Sequence, residues 1–220
     1  MRREFVSYPK SGRSWLRFIL AQLGHADSIK FHHDGFEFNS AAKPPHDFDL
    51  SARLHRYGRV DKLVYLERDP RDVMVSLFFQ VTGRFQDFFR FQGTLGDFLR
   101  DSYFGAHNLK RFREVWAELS HQRSFLVISY EACHADPRAL VQRLLDYYEL
   151  VSPANDLEKA VVSSQFDKMQ ALEQSGQFPQ PWLQLRNQSA KVRRGKIGGY
   201  RDYLDSDSLS YLNDLFGYHS

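Results

Sequence analysis

The amino-acid sequence predicts a single-domain α/β protein of three layers, in which a central, mainly parallel sheet is flanked by helices. Two observations predict it. Three times, an apolar run of strand length stops at a short polar turn and gives way to residues with helical spacing. In addition, 220 residues are enough for one substantial hydrophobic core, so residues 1–220 are read as one domain. Strands that alternate with helices pair in parallel through right-handed crossovers, which place helices on both faces of the sheet.

The first unit is a strand over residues 4–8, a turn rich in Pro, Ser and Gly, and a helix whose Trp15, Phe18, Ile19 and Leu23 share a face. Ser11 or Ser14 is the expected cap, and Gly24 the stop. A second strand covers residues 62–67 and breaks at Arg68. Asp69 suits a helix N-cap and Pro70 the first helical position, where its missing N–H costs nothing. The third strand, residues 125–130, leads through Asp136 and Pro137 into a helix carrying Leu140, Leu144, Leu145 and Tyr148. Residues 95–104, 108–119, 156–165 and 208–216 also read as helices. Residues 25–61 and 174–200 lack periodicity; the first stretch is a candidate site border and the second a candidate lid.

Composition excludes several classes. The content of 42% hydrophobic and 26% charged residues is ordinary for a globular chain. A net charge of +3, with Lys and Arg scattered along the sequence, favours a small anionic ligand over nucleic acid. Cys133 is the only cysteine, so no internal disulfide forms, and no Cys/His cluster has metal-site spacing; no metal is expected. Without an apolar leader or a stretch of membrane-spanning length, the expected location is the cytoplasm, away from membranes.

The first turn carries the chemistry. A strand that turns sharply into a helix offers free backbone N–H groups and the positive end of the helix dipole, a natural seat for phosphate or sulfate. Lys10, Ser11, Gly12, Arg13 and Ser14 add positive charge, hydroxyl donors and a glycine that lets backbone approach the anion. Lys10 precedes the loop's only glycine, so this is not the Walker A pattern of ordinary ATPases and kinases.

The segment from Tyr8 to Trp15 resembles the 5′-phosphosulfate loop of the PAPS-dependent sulfotransferase superfamily, usually Tyr-Pro-Lys-Ser-Gly-Thr-Thr-Trp; Arg13 and Ser14 replace the two threonines. A second motif of that family, for the 3′-phosphate, has an Arg at a strand end and a Ser eight residues on, the spacing of Arg68 and Ser76. Arg193, Arg194 and Gly195, followed by Gly198 and Gly199, resemble the family's closing Arg-Lys-Gly-x-x-Gly segment, with Gly199 and Tyr200 in place of Asp and Trp. Trp15 and Tyr130 resemble its adenosine contacts, as do Ser164 and Phe166.

The resemblance implies a P-loop-like fold, PAPS as donor, PAP as product, and a small-molecule hydroxyl or amine acceptor. It also implies a histidine base, which suits neutral pH. His33 is the first candidate and His46 the second, with Lys10 stabilising charge on the leaving side. A nucleotide kinase and a donor-binding module without turnover are the alternatives. Phe36, Phe38, Phe78, Phe79, Phe85, Phe88, Phe89 and Phe91 are either acceptor pocket or core.

Overall fold

In the computed structural model, which describes residues 1–177 and 181–218, four parallel strands form one sheet. They are β1 (Arg3–Ser7), β2 (Lys30–His32), β3 (Lys62–Glu67) and β4 (Leu126–Ser129), in the order β2-β1-β3-β4. The register sets Phe5 beside Phe31 and Val64, and Val64 beside Leu126. The central strands are buried on both faces, as their unbroken apolar runs require. Leu63 and Tyr65 point into one core, while Val64 and Leu66 point into the other.

The helices are α1 (Arg13–Gln22), α2 (Leu50–Tyr57), α3 (Pro70–Phe79), α4 (Gln86–Phe89), α5 (Leu95–Arg100) and α6 (Ala106–Gln122). They continue as α7 (Tyr130–Ala135), α8 (Pro137–Tyr148), α9 (Ala154–Ser163), α10 (Phe166–Ser175) and α11 (Ser206–Phe216). One core packs α3, α5, α6 and α11 against the sheet around Phe98, Phe112 and Trp116. The other packs α1, α8 and α9 around Leu16, Ile19, Leu144 and Tyr148. Asp69 caps α3 by accepting from the Arg71 N–H at 2.9 Å, with Pro70 opening the helix as expected.

Several local expectations are corrected. Neither Ser11 nor Ser14 caps α1; Gly12 is the cap residue, in the left-handed region, with no side chain bonded to the helix amides. The helix expected to reach residue 104 stops at Arg100, because the Asp101 carboxylate accepts from the N–H groups of Tyr103 and Phe104 at 2.8 and 2.7 Å and turns the chain. Tyr130 opens α7 and does not end the strand. After Phe79 the chain continues as a π-helical turn, Gln80–Arg84, a widening that redirects Arg84. Among the described residues no helix is long and apolar enough to cross a membrane.

Residues 25–61 hold β2 and α2, where periodicity predicted neither. α2 is only eight residues long; Leu50, Leu54 and Tyr57 share its apolar face, and beside them it buries Arg53, only 2% exposed. Arg53 donates through Nε to the buried Asp34 carboxylate at 2.6 Å and to the Asp49 and Asp47 carbonyls at 3.1 and 2.7 Å. Asp34 also accepts from Arg56 at 2.8 Å and the Tyr57 hydroxyl at 2.5 Å. This knot fixes the chain just after His33. Asp34→Asn keeps a residue that tolerates the φ of 55° but leaves the Arg53 charge buried and uncompensated. A loss of about 3 kcal/mol in urea unfolding is expected, and an unchanged midpoint would contradict the role given to this pair.

Candidate active site

The strands' C-terminal ends open into a cleft of about 1280 Å³. Its floor is the loop between β1 and α1, where Lys10 and Gly12 both adopt positive φ, 71° and 98°. Gly12 has no substitute there: a Cβ would lie 2.4 Å from the Tyr130 ring. The loop thus closes under an aromatic wall while the first amides of α1, which no side chain caps, remain at its mouth.

Of the sequence-predicted residues, Lys10, Gly12, Arg13, Ser14, Trp15, His33, Arg68, Ser76, Tyr130, Ser164, Phe166, Arg193, Arg194 and Gly195 all line this one cleft. Ser11 does not. It is 2% exposed and turns inward beneath the loop, its N–H bonding to the Tyr8 carbonyl at 3.4 Å. Three distant segments are stitched together by specific contacts. Trp15 Nε1 donates to Ser164 Oγ at 3.0 Å, and the Tyr130 hydroxyl donates to the Gly195 carbonyl at 3.2 Å. Phe166 packs so closely on Gly195 that a Cβ there would lie 2.7 Å from its ring. Arg68 lies 4.2 Å from the centre of the Tyr130 ring and donates to the carbonyls of Lys10 and Lys196 at 3.2 and 3.3 Å. Arg193 donates to the Tyr203 hydroxyl at 2.5 Å, and Arg194 pairs with Asp202 at 2.7 Å.

Sequence reasoning missed two buried carboxylates that hold these walls. Asp72 accepts from the N–H groups of Gly198 and Tyr200 at 2.8 and 2.9 Å and lies 3.6 Å from Arg68. Its position four residues after Arg68 on a helix was the available signal. Glu173 accepts from the Lys191 and Val192 amides at 2.5 and 2.8 Å and pairs with Arg84 at 3.2 Å. It therefore seats residues 191–192 against α10; no spacing in the sequence connects groups that far apart.

The lining holds ten Lys and Arg side chains against two carboxylates, Glu37 and Asp72. Burial, with Arg84, Arg68 and Arg193 nearby, pulls the Lys10 ammonium down to about 7, and Glu173 only partly opposes this. Arg13 Nη1 and Arg68 Nε are buried without a hydrogen-bond partner. A cleft so arranged suits an anionic ligand.

His33 sits across the cleft from Arg68, at the β2 edge. Its Nδ1 lies 2.8 Å from the Ser7 carbonyl, which can only accept, so Nδ1 carries the proton and Nε2 keeps a lone pair. Burial and the nearby Arg13 hold its pKa well below the ordinary histidine value, the Ser7 bond opposing them. His46 is elsewhere, stacked on Phe36 and Tyr103 at 4.6 and 4.4 Å in an aromatic cluster. Among the candidate phenylalanines, Phe85 and Phe88 line the cleft; Phe36, Phe38 and Phe89 are core, Phe38 reaching the cleft with only 3% of its surface exposed, and Phe78 and Phe91 pack against that core.

Fold and cleft together define a parallel α/β protein with a cation-lined cleft at the ends of its strands. The family model of the sulfotransferase domain matches residues 59–219, and the chain belongs to that family. Sulfotransferase 2B1 of Mus musculus is 28% identical over 149 residues, covering 65% of this chain; the match spans 43% of that protein's length. Sulfotransferase 2A1 of Homo sapiens is 22% identical over 241 residues, covering 96% of this chain and 81% of that protein. Among solved structures, mouse sulfotransferase SULT7A1 complexed with PAP shares the fold with a TM-score of 0.73 and 18% identity, covering 99% of this chain and 82% of that one. Retinol dehydratase in complex with androsterone and PAP gives a TM-score of 0.64, 18% identity and coverage of 99% and 80%.

The Asp72 clamp makes a prediction. Asp72→Ala should raise hydrogen exchange at the Gly198 and Tyr200 amides about tenfold, the net worth of roughly one such bond each. Unaltered protection would show that Asp72 does not hold the segment.

Proposed function

We propose that this chain is a PAPS-dependent sulfotransferase, moving a sulfuryl group to a hydroxyl or amine of a small-molecule acceptor in the cytoplasm, with PAP released. The observation that carries this reading is the meeting of residues 10–15, 68–76 and 193–195 around one cation-lined cleft that also holds His33. The residues fit such a donor. The buried Arg68 Nε has no acceptor in the protein, and no side chain caps the amides of α1.

Lys10, Gly12 and Ser14, with the backbone N–H of Arg13, would hold the 5′ end. Arg68, Ser76, Arg193 and Arg194 would hold the 3′-phosphate, the planar guanidinium of Arg68 meeting it as a fork of donors. Trp15, Tyr130, Ser164 and Phe166 would enclose the adenosine. When bound, the donor supplies the sulfuryl group and a phosphate leaving group. Catalysis is then chiefly alignment and charge stabilisation by fixed protein groups.

Lys10 acts at the leaving side. Its ammonium, pulled down to about 7 by burial and the neighbouring arginines, would be held in the charged form by a bound anion and would counter charge as it develops. His33 acts at the acceptor side: with Nδ1 tied to Ser7, Nε2 accepts the hydroxyl proton. The depressed pKa keeps it neutral at physiological pH. Because folding lowers this pKa, the linked stability is intact above the ordinary histidine value of about 6.5 and is lost as pH falls below it.

A hydroxyl acceptor accords with the name of one relative, the 3-beta-hydroxysteroid sulfotransferase of Cavia porcellus, 23% identical over 222 residues. The test is transfer of radiolabelled sulfate from PAPS to a panel of hydroxyl acceptors. His33→Ala should lower kcat by about a hundredfold or more while PAP affinity stays within about threefold. Undiminished turnover in this variant would remove His33 from the reaction.

A further inference from the structure

The cleft has two ends, and the donor reading uses mainly one. β3 ends at Arg68 and β4 leads directly into Tyr130, where Trp15 and Ser164 also gather. At the opposite edge of the sheet, β2 ends beside His33. Arg13 and Arg17 stand one turn apart on α1 and so share a face. That face looks toward β2. The Arg17 guanidinium lies 5.5 Å from the Phe31 ring centre and 4.9 Å from that of Trp182, and Arg13 lies close enough to His33 to depress its basicity.

Most cations at this end are already engaged. Arg84 pairs with Glu173, Arg186 pairs with Asp87 at 2.6 Å, and Lys191 Nζ donates to the Trp182 carbonyl at 2.7 Å. Arg13 and Arg17 make no ion pair among the described residues, and both Arg13 Nη1 and Arg17 Nε are buried without a hydrogen-bond partner. Glu37, the carboxylate lining this end, accepts from the His33 N–H at 2.7 Å and reaches Arg13 only through space, as Asp27 reaches Arg17. Buried guanidinium N–H groups without acceptors are costly, and a ligand oxyanion would satisfy both. The arrangement is stable in use only if the acceptor brings an anion.

We infer that the acceptor is itself an anion: an aromatic molecule bearing a carboxylate or similar oxyanion besides its hydroxyl, with Arg13 and Arg17 gripping the oxyanion beside His33. Phe85 and Phe88, on whose rings Arg186 rests at 4.4 and 3.9 Å, supply the aromatic wall of the cleft beside its ring. This explains Arg13, which stands where the resembling loop has threonine. The inference rests on the sulfotransferase reading, since it assigns the second substrate of that same cleft.

The probes are 4-hydroxyphenylacetate and its neutral counterpart, 4-hydroxyphenylacetamide, titrated by calorimetry into the chain saturated with PAP. The acid should bind about tenfold or more tighter than the amide, the worth of a charge-assisted pair. Arg17→Gln, at a partly exposed position that keeps the fold, should equalise the two and leave PAP affinity unchanged. Equal binding to the wild type, or binding of neither, overturns the inference. A variant that weakens PAP as much as the acid also overturns it, returning these arginines to the donor. Failure of PAP to bind at all contradicts the donor assignment instead, so the two readings fail separately.

Discussion

The structure turns on an excess of positive charge gathered where four parallel strands end. Ten cationic side chains face one cleft with two carboxylates among them, and Lys10 is buried deeply enough to lose much of its basicity. Such a concentration opposes folding unless rigid groups hold each cation in place. The chain does this with backbone carbonyls, aromatic faces and a few buried acids. Arg68 rests on Tyr130 and on the carbonyls of Lys10 and Lys196, while Arg193 packs over Phe79 at 4.2 Å. These partners leave guanidinium N–H groups open to a ligand, where full pairing with carboxylates would have consumed them.

Two acids then determine the cleft's shape. Asp72 ties α3 to residues 198–200, and Glu173 ties α10 to residues 191–192. The segment with no sequence periodicity is therefore fastened at two points by backbone N–H groups bonded to buried carboxylates. A third knot, Arg53 on Asp34, fixes the turn that presents His33. Each fixes a stretch of backbone that borders the cleft.

What could be read from the sequence was the part governed by local rules. The alternation of strand and helix, the Asp69-Pro70 start of α3 and the apolar strands each have a short-range cause. The residues proposed for the donor could be picked out because the loop after β1 and the Arg68-to-Ser76 spacing are local patterns. What escaped was short, long-range or polar. α2 is only eight residues long, so its apolar set Leu50, Leu54 and Tyr57 is too short a pattern to stand out beside the buried Arg53. Glu173 meets Arg84 only through the tertiary fold. Choosing between His33 and His46 required knowing that β2 ends at the cleft and that residue 46 enters an aromatic cluster.

The central claim is a bipartite donor site in which the first loop grips one end of the nucleotide and Arg68 the other. Calorimetric titration of the wild type and of Arg68→Ala with PAP, AMP and ATP tests it most directly. PAP should bind the wild type about tenfold to a hundredfold more tightly than AMP, the contribution of hydrogen bonds to one charged phosphate. ATP should gain no such advantage, and Arg68→Ala should erase most of the difference. ATP binding as tightly as PAP, or a variant that weakens PAP and AMP equally, would contradict the two-ended site.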